Sequence, residues 1–144
     1  MRLSLYTDFS LRLLVYLAAV PVGKPVGARL IAAKYQVSGH HMQKVAQGLR
    51  RLGCIESVSG RNGGLRLAVR PEALRIGDVV EAMEGAGCLV DCAEGPCMLQ
   101  GACLLKVAMD RAERKFFDEL RNYTVADMLR GPTVARLERM MRAA

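Results

Sequence analysis

No apolar run in this chain of 144 residues reaches the roughly 18 needed to cross a bilayer, so no membrane span is expected. Internal repeats and low-complexity segments are also missing, which excludes solenoids and disordered tails. There is no glycine-rich nucleotide loop and no acid–base pair beside the cysteines, so nothing points to an enzyme. No C-x2-C knuckle occurs, and the only two histidines, His40 and His41, lie outside the cysteine-rich stretch. That is a poor match to a zinc ribbon. The first 23 residues superficially mimic a secretory signal, but Asp8 and Arg12 interrupt them. Phe9, Leu13, Leu17 and Val20 recur at the spacing of an amphipathic helix. We read the segment as part of the fold and the protein as cytoplasmic, where thiols stay reduced and clustered cysteines serve metals more often than disulfides.

What is present is positive charge, unevenly placed. The net charge is +7. Residues 1–80 carry +8 and residues 81–144 carry −1. A basic half attracts phosphates or anionic lipid, although a solvated basic surface has the same composition. Local pattern has to decide between them.

Apolar spacing and turn residues predict a helix over 7–20 with Thr7 as its cap, a turn at 21–25, and a short helix over 27–35. A tight turn at 36–39 follows, then a helix capped by Ser38 and running to about Leu52, where Gly53 stops it. Residues 54–59 and 65–69 alternate as two strands around the turn "GRNGG". Helices are expected over 75–85 and 104–121, and "TVAD" (124–127) reads as a capping box opening a last short helix. The fold class is mostly α with a small β-hairpin. Its expected organisation is a winged helix-turn-helix domain over 1–80, a linker helix and cysteine loop over 81–103, and a long dimerisation helix with a C-terminal helix over 104–144.

Two short helices, a tight turn and a hairpin make a winged helix-turn-helix, with Leu30, Ile31, Val37, Val45 and Leu49 as the apolar positions where the helices cross. The second helix would enter the major groove of double-stranded DNA. Ser38, His40, His41, Gln43 and Lys44 sit in its first turns, and Gln47, Arg50 and Arg51 follow; these are donors of the kind a recognition helix uses. Arg61 and Asn62 at the wing tip are placed for a neighbouring minor groove. The pair His40–His41 also raises a metal reading. Neighbours on a helix point about 100° apart, however, and cannot easily share one ion, so DNA contact or plain surface is favoured.

The stretch "CLVDCAEGPCMLQGACLLK" (88–106) holds four of the five cysteines, spaced C-x3-C-x4-C-x5-C. Cys92, Cys97 and Cys103 lie among Gly95, Pro96 and Gly101, so the segment can wrap and its thiolates can converge on one centre. Thiolates suit zinc or iron–sulfur clusters, and the uneven spacing suits a cluster better. Reactive free thiols, or cysteines buried as small apolar residues, are the plainer readings.

The stretches "YTDFSLRLLVYLA", "VSGHHMQKVAQGLRRLGCIESVSGRNGGLRLA", "IGDVVEAME", "DCAEGPCMLQGACLLK" and "NYTVADML" together resemble the NsrR branch of the winged-helix iron–sulfur regulators, which also include IscR. The resemblance runs through nearly the whole chain in order. It implies a homodimeric transcriptional repressor with one iron–sulfur cluster per subunit that senses nitric oxide and releases a palindromic operator. It implies a [4Fe–4S] cluster, with [2Fe–2S] as the other form, held by Cys92, Cys97 and Cys103. The fourth ligand in such proteins is an aspartate of the first helix, reached from the partner subunit; it matches Asp8. IscR-like members use a histidine after the last cysteine region, and this chain has none there. Cys88 is extra and is an alternative fourth ligand from the same chain; water, a small molecule or another residue are further alternatives.

Arg12 stands one helical turn after Asp8 and is placed to steady its carboxylate. Glu84, at the end of the helix leading into the loop, is a candidate link between cluster and wing, or a solvated side chain. The stripe Leu104, Ala108, Ala112, Phe116 and Leu120 is the expected dimer contact, shared with intrachain core. Two other regulators remain as alternatives: an IscR-type iron–sulfur or redox-responsive protein, and a zinc-stabilised DNA-binding protein.

Overall fold

The computed structural model describes residues 2–85, 89–90, 92 and 96–142. Helices α1 (Leu5–Ala19), α2 (Ala28–Lys34) and α3 (Gly39–Arg51) are followed by strands β1 (Ile55–Val58) and β2 (Gly64–Leu67). A 3-10 turn (Pro71–Ala73) leads to α4 (Ile76–Glu84). Beyond the cysteine stretch come α5 (Leu104–Leu120), a second 3-10 turn (Ala126–Leu129) and α6 (Pro132–Arg142).

Helix α1 is the hub. Leu13, Leu14, Tyr16 and Leu17 are buried, and α3, α4, β2 and α6 all pack on it. It starts earlier than its spacing predicts: Ser4, not Thr7, is the cap, accepting from Thr7 N at 3.2 Å. Thr7 is buried inside the first turn, where its hydroxyl lies 3.0 Å from Ser4 Oγ. A hydroxyl at either position can cap, so the sequence did not separate them. Helix α3 is sharply two-faced. Met42, Val45 and Leu49 are fully buried, whereas His40, His41, Gln43, Lys44, Gln47, Arg50 and Arg51 are exposed. Each buried side chain of this size contributes about 1.5–3 kcal/mol, far more than the surface charges do. Gly53, at φ 70°, ends the helix as expected.

Leu30 is a correction. It is 51% exposed, and Ile31 and Ala32 are the residues of α2 that face α3. A seven-residue helix has one narrow inner stripe, and Leu30 falls beside it. Val37 is half-buried against the core.

The hairpin is antiparallel and pairs Ile55 with Leu67 and Val58 with Gly64, leaving residues 59–63 as the wing tip. Its base is fixed to the α1–α2 connection: Val26 and Leu65 exchange backbone hydrogen bonds of 2.9 and 2.8 Å. A second return ties the C-terminal segment to the start of α4, through Ile76 N to Tyr123 O and Val125 N to Leu74 O, both 2.9 Å.

Helices α4 and α5 approach closely at Gly77. A Cβ there would stand 2.4 Å from the Phe117 carbonyl oxygen, so only glycine allows the contact. Arg121 at the end of α5 clasps α4 through Asp78 (2.7 Å) and Glu81, and Asp118 completes the cluster. Thr124 and Asp127 do form the reciprocal capping pair, with bonds of 2.9 and 3.3 Å. They open the second 3-10 turn, however, and the C-terminal helix is a separate element beginning at Pro132. Gly131, at φ 57°, followed by a proline at the first helical position is the signal that marks this restart.

Candidate metal centre and nucleic-acid interface

The cysteine site is built at the start of α5. Cys103 is the N-cap of that helix, and its Sγ accepts from Lys106 N at 3.4 Å. The positive end of the α5 dipole therefore faces the cysteines. Cys92, Cys97 and Cys103 line one cavity of about 490 Å³, together with Gln100, Lys106 and Val107. All three are free; Cys97 is exposed and the others half-exposed. Lys106 Nζ is paired with Asp110 at 2.5 Å on the cavity wall. Among the described residues, no three of His, Cys, Asp or Glu stand close enough to hold an ion as placed. The three sulfurs thus share a cavity without closing on one point. Soft thiolates around one cavity fit an iron–sulfur group by donor chemistry. Cys88 lies outside the described residues.

Cys54 is separate from this site. It is buried ahead of β1, and burial pushes its thiol pKa up. Its backbone bonds to Leu49 and Ala68, so it acts as a small packed residue joining α3 to the hairpin.

Asp8 lies in the first turn of α1. Arg12 grips it with two hydrogen bonds, Nε to Oδ1 at 2.9 Å and Nη2 to Oδ2 at 2.8 Å. The guanidinium carbon of Arg12 also stands 5.9 Å from the ring centres of both Phe9 and Tyr35. Phe9 in turn meets His41 edge to face at 6.1 Å. A contact path therefore runs from the Asp8 carboxylate to the first turn of α3. Pattern reading paired Asp8 with Arg12 through their spacing; it missed the Arg12–Tyr35 and Phe9–His41 contacts, which are long-range.

Glu84 is neither loose in solvent nor among the cysteines. Its Oε1 accepts from Ser4 N at 2.9 Å and Ser4 Oγ at 3.1 Å, joining the end of α4 to the start of α1. Burial raises its pKa, but the hydrogen bonds from Thr7 and Ser4 outweigh this and hold the carboxyl below its ordinary value.

Helix α3 and the wing present a nitrogen-rich exposed face. Ser38 caps α3 by accepting from His41 N at 3.4 Å, which occupies one lone pair of its hydroxyl. His40, Gln43, Lys44 and Arg51 project outward, and Arg61 and Asn62 are exposed at the wing tip. Arg50 Nη1 donates to Ser57 Oγ at 3.1 Å, bracing the end of α3 against the wing. Tyr6 and Gly48 set how closely α3 lies on α1, since a Cβ at 48 would meet the Tyr6 hydroxyl at 1.9 Å.

A buried-backed donor helix, a short wing and a cysteine cavity occupy the order of one known family. The family profile of Rrf2, described as iron-dependent transcriptional regulators, matches residues 3–131. The chain belongs to the Rrf2 family. It is accordingly a transcription regulator and not an enzyme. Among solved structures it resembles Staphylococcus aureus CymR at 25% identity and a TM-score of 0.71, covering 89% of this chain and 98% of that one. It resembles T. potens IscR at 23% identity and 0.72, covering 90% and 86%. It resembles CymR, the global cysteine regulator of B. subtilis, at 23% and 0.71, covering 89% and 95%. The two likenesses at 23% speak for the fold alone. Among the described residues no helix is long and apolar enough to cross a membrane.

Proposed function

We propose that this regulator is a homodimeric repressor that grips operator DNA with α3 and the wing, holds an iron–sulfur cluster in the cysteine cavity, and loses operator affinity when nitric oxide reacts there. The observation that carries the reading is the gathering of Cys92, Cys97 and Cys103 around one cavity at the start of α5. When bound, such a cluster supplies iron that exchanges its ligands for nitric oxide.

The residues of the chain do the rest. Cys103 fixes one anchoring sulfur to α5, and Cys92 and Cys97 bring the preceding segment to it. Asp8, from the partner subunit, is the proposed fourth donor, held ready by Arg12. The apolar side chains Leu104, Leu105 and Val107 are 83, 64 and 60% exposed at the start of α5. Leu104 heads the expected stripe and is exposed together with Ala108 and Ala112, whereas Phe116 and Leu120 pack against this chain's core; Leu105 and Val107 widen the exposed face. That division supports a dimer contact beside the cysteines, which would bring the partner's α1 near the cavity. With ligands on two subunits, the separation of the two recognition helices follows from the integrity of the site. A palindrome asks for a separation near one turn of DNA, roughly 34 Å.

Iron and sulfide counted on anaerobically purified protein, followed by operator titration before and after nitric oxide, test the reading. Brown protein with about one cluster per chain and weaker DNA binding after treatment is expected. Colourless protein containing zinc would leave a structural-metal regulator. Equal operator affinity before and after treatment would remove nitric oxide as the signal.

A further inference from the structure

A cavity of about 750 Å³ has neither a cysteine nor a residue of the recognition helix in its lining. It lies where the end of α1, the turn at 20–24, the end of β2 and the second 3-10 turn meet. Its size falls in the range of about 300–1,000 Å³ that takes a small organic ligand. Leu17, Val20, Leu67 and Leu129 make an apolar floor.

The rim is ionic, and its charges do not cancel. Arg66 is neutralised by Glu56 at 2.7 Å. Lys24 and Arg70 are exposed, and their side chains make no ion pair or hydrogen bond among the described residues. Glu72 is the one carboxylate among the described residues that line the cavity. The remaining balance of two cations against one anion favours a single negative charge and resists a second. An apolar floor under such a rim selects a particular chemistry: a body that leaves water and one charged acceptor that a guanidinium or ammonium can bond.

We propose that this cavity is a binding site for a small amphiphilic monocarboxylate, with its carboxylate on Arg70 and Lys24 and its apolar chain against Leu17, Leu67 and Leu129. The site is independent of the iron reading. Because β2 belongs to the wing and the second 3-10 turn follows α5, the occupant would touch both parts of the fold at once.

Isothermal titration calorimetry on the full chain tests this with octanoate as the probe, beside acetate, 1-octanol, octylamine and the dicarboxylate suberate. Octanoate should saturate one site per chain, at least tenfold tighter than any of the other four. Arg70→Glu and Lys24→Glu should each weaken octanoate at least tenfold, and Glu72→Gln should narrow the gap between suberate and octanoate. Leu129→Trp, which fills the floor, should abolish the heat while circular dichroism stays unchanged. Octanol binding as well as octanoate would overturn the proposal, leaving an apolar crevice without charge selection. Acetate binding as well as octanoate, or undiminished octanoate binding in Arg70→Glu with the fold intact, would overturn it equally.

Discussion

Replacing Gly77 by alanine tests whether the α4–α5 contact is as tight as it stands. At an open helical site, alanine gains up to about 1 kcal/mol over glycine. Here the new methyl would lie 2.4 Å from Phe117 O and 2.7 Å from Arg121 N, both backbone atoms of α5, and 2.6 Å from Arg121 Cγ. A side chain can swing aside, but a backbone oxygen retreats only if the helix moves. Overpacking of this kind costs about 1–3 kcal/mol. Because two of the three closest atoms are backbone, the upper part of that range, about 2–3 kcal/mol, applies, and subtracting the propensity gain of about 1 leaves a net loss of about 1–2 kcal/mol. In a chain of this length that lowers the melting midpoint by roughly 3–8 °C. Gly39→Ala is the control, because a Cβ there meets nothing within 4 Å and the backbone is unstrained; it should be neutral or slightly stabilising. Urea titration of the three proteins, followed by far-ultraviolet circular dichroism, measures the difference. A Gly77→Ala protein as stable as the parent would refute the close approach and the placement of α5 that depends on it.

Further outcomes follow from the same contacts. On the function proposed above, Arg61→Ala should weaken operator binding and flatten its salt dependence by about one phosphate contact, with any bound iron unchanged; fluorescence anisotropy at several salt concentrations measures both binding effects. Cys97→Ala should lose its iron on anaerobic purification, whereas Cys54→Ala should keep it and lose only stability, because Cys54 is packed between α3 and the hairpin. Glu84→Gln should alter the acid side of the stability curve. A carboxyl held below its unfolded value of about 4.5 adds stability above that pH and loses it as pH falls through the lower folded value. The parent should therefore lose stability more steeply than the variant below about pH 4.5, as read from urea midpoints; identical slopes would mean that the Ser4–Glu84 tie is not kept in solution.

The DNA-binding half was legible because its signals are local. Met42, Val45 and Leu49 repeat at helical spacing, Ser38 and Gly53 mark the ends of α3, and glycines flank the wing tip. Each of these is decided by a few neighbouring residues, and each stands where pattern reading puts it. What failed depended on competition between similar local solutions or on contacts across the chain. Ser4 and Thr7 are both good caps, and Glu84, eighty residues away, fixes the Ser4 backbone N–H at the helix start. Leu30 has the right residue type but falls off the inner stripe of a helix too short to show a period. The capping box at Thr124 does open a short helical element, a 3-10 turn, but α6 beyond it is a separate helix that the pattern does not resolve, because Gly131 and Pro132 restart the chain within a few residues. The candidate site divides the same way. The cysteines announce themselves by density, while the Phe9–His41 and Arg12–Tyr35 contacts link helices distant in sequence and leave no spacing to find.

Magnitudes bear on how the two ends of the protein would communicate. Asp8 and Arg12 are paired through two short bonds, yet their side chains remain 38 and 47% exposed. An exposed pair of this kind contributes about 0–1 kcal/mol. That biases the carboxylate toward one rotamer by at most a few-fold and is too little to resist a competing partner. On the function proposed above, Arg12 would therefore not lock Asp8 away from a second subunit. The same figure limits the path through Phe9 to His41. Coupling between two sites in a regulator is typically about 1–3 kcal/mol, a range that one exposed pair and two ring contacts reach only if all of them are lost together. On the reading proposed above, a partial rearrangement leaves part of the coupling to come from elsewhere. The other source is the separation of two rigid protomers. Each is stiffened by the Gly77 contact and the Arg121 clasp, so that a change near the start of α5 moves α3 as part of one body instead of being absorbed along the way.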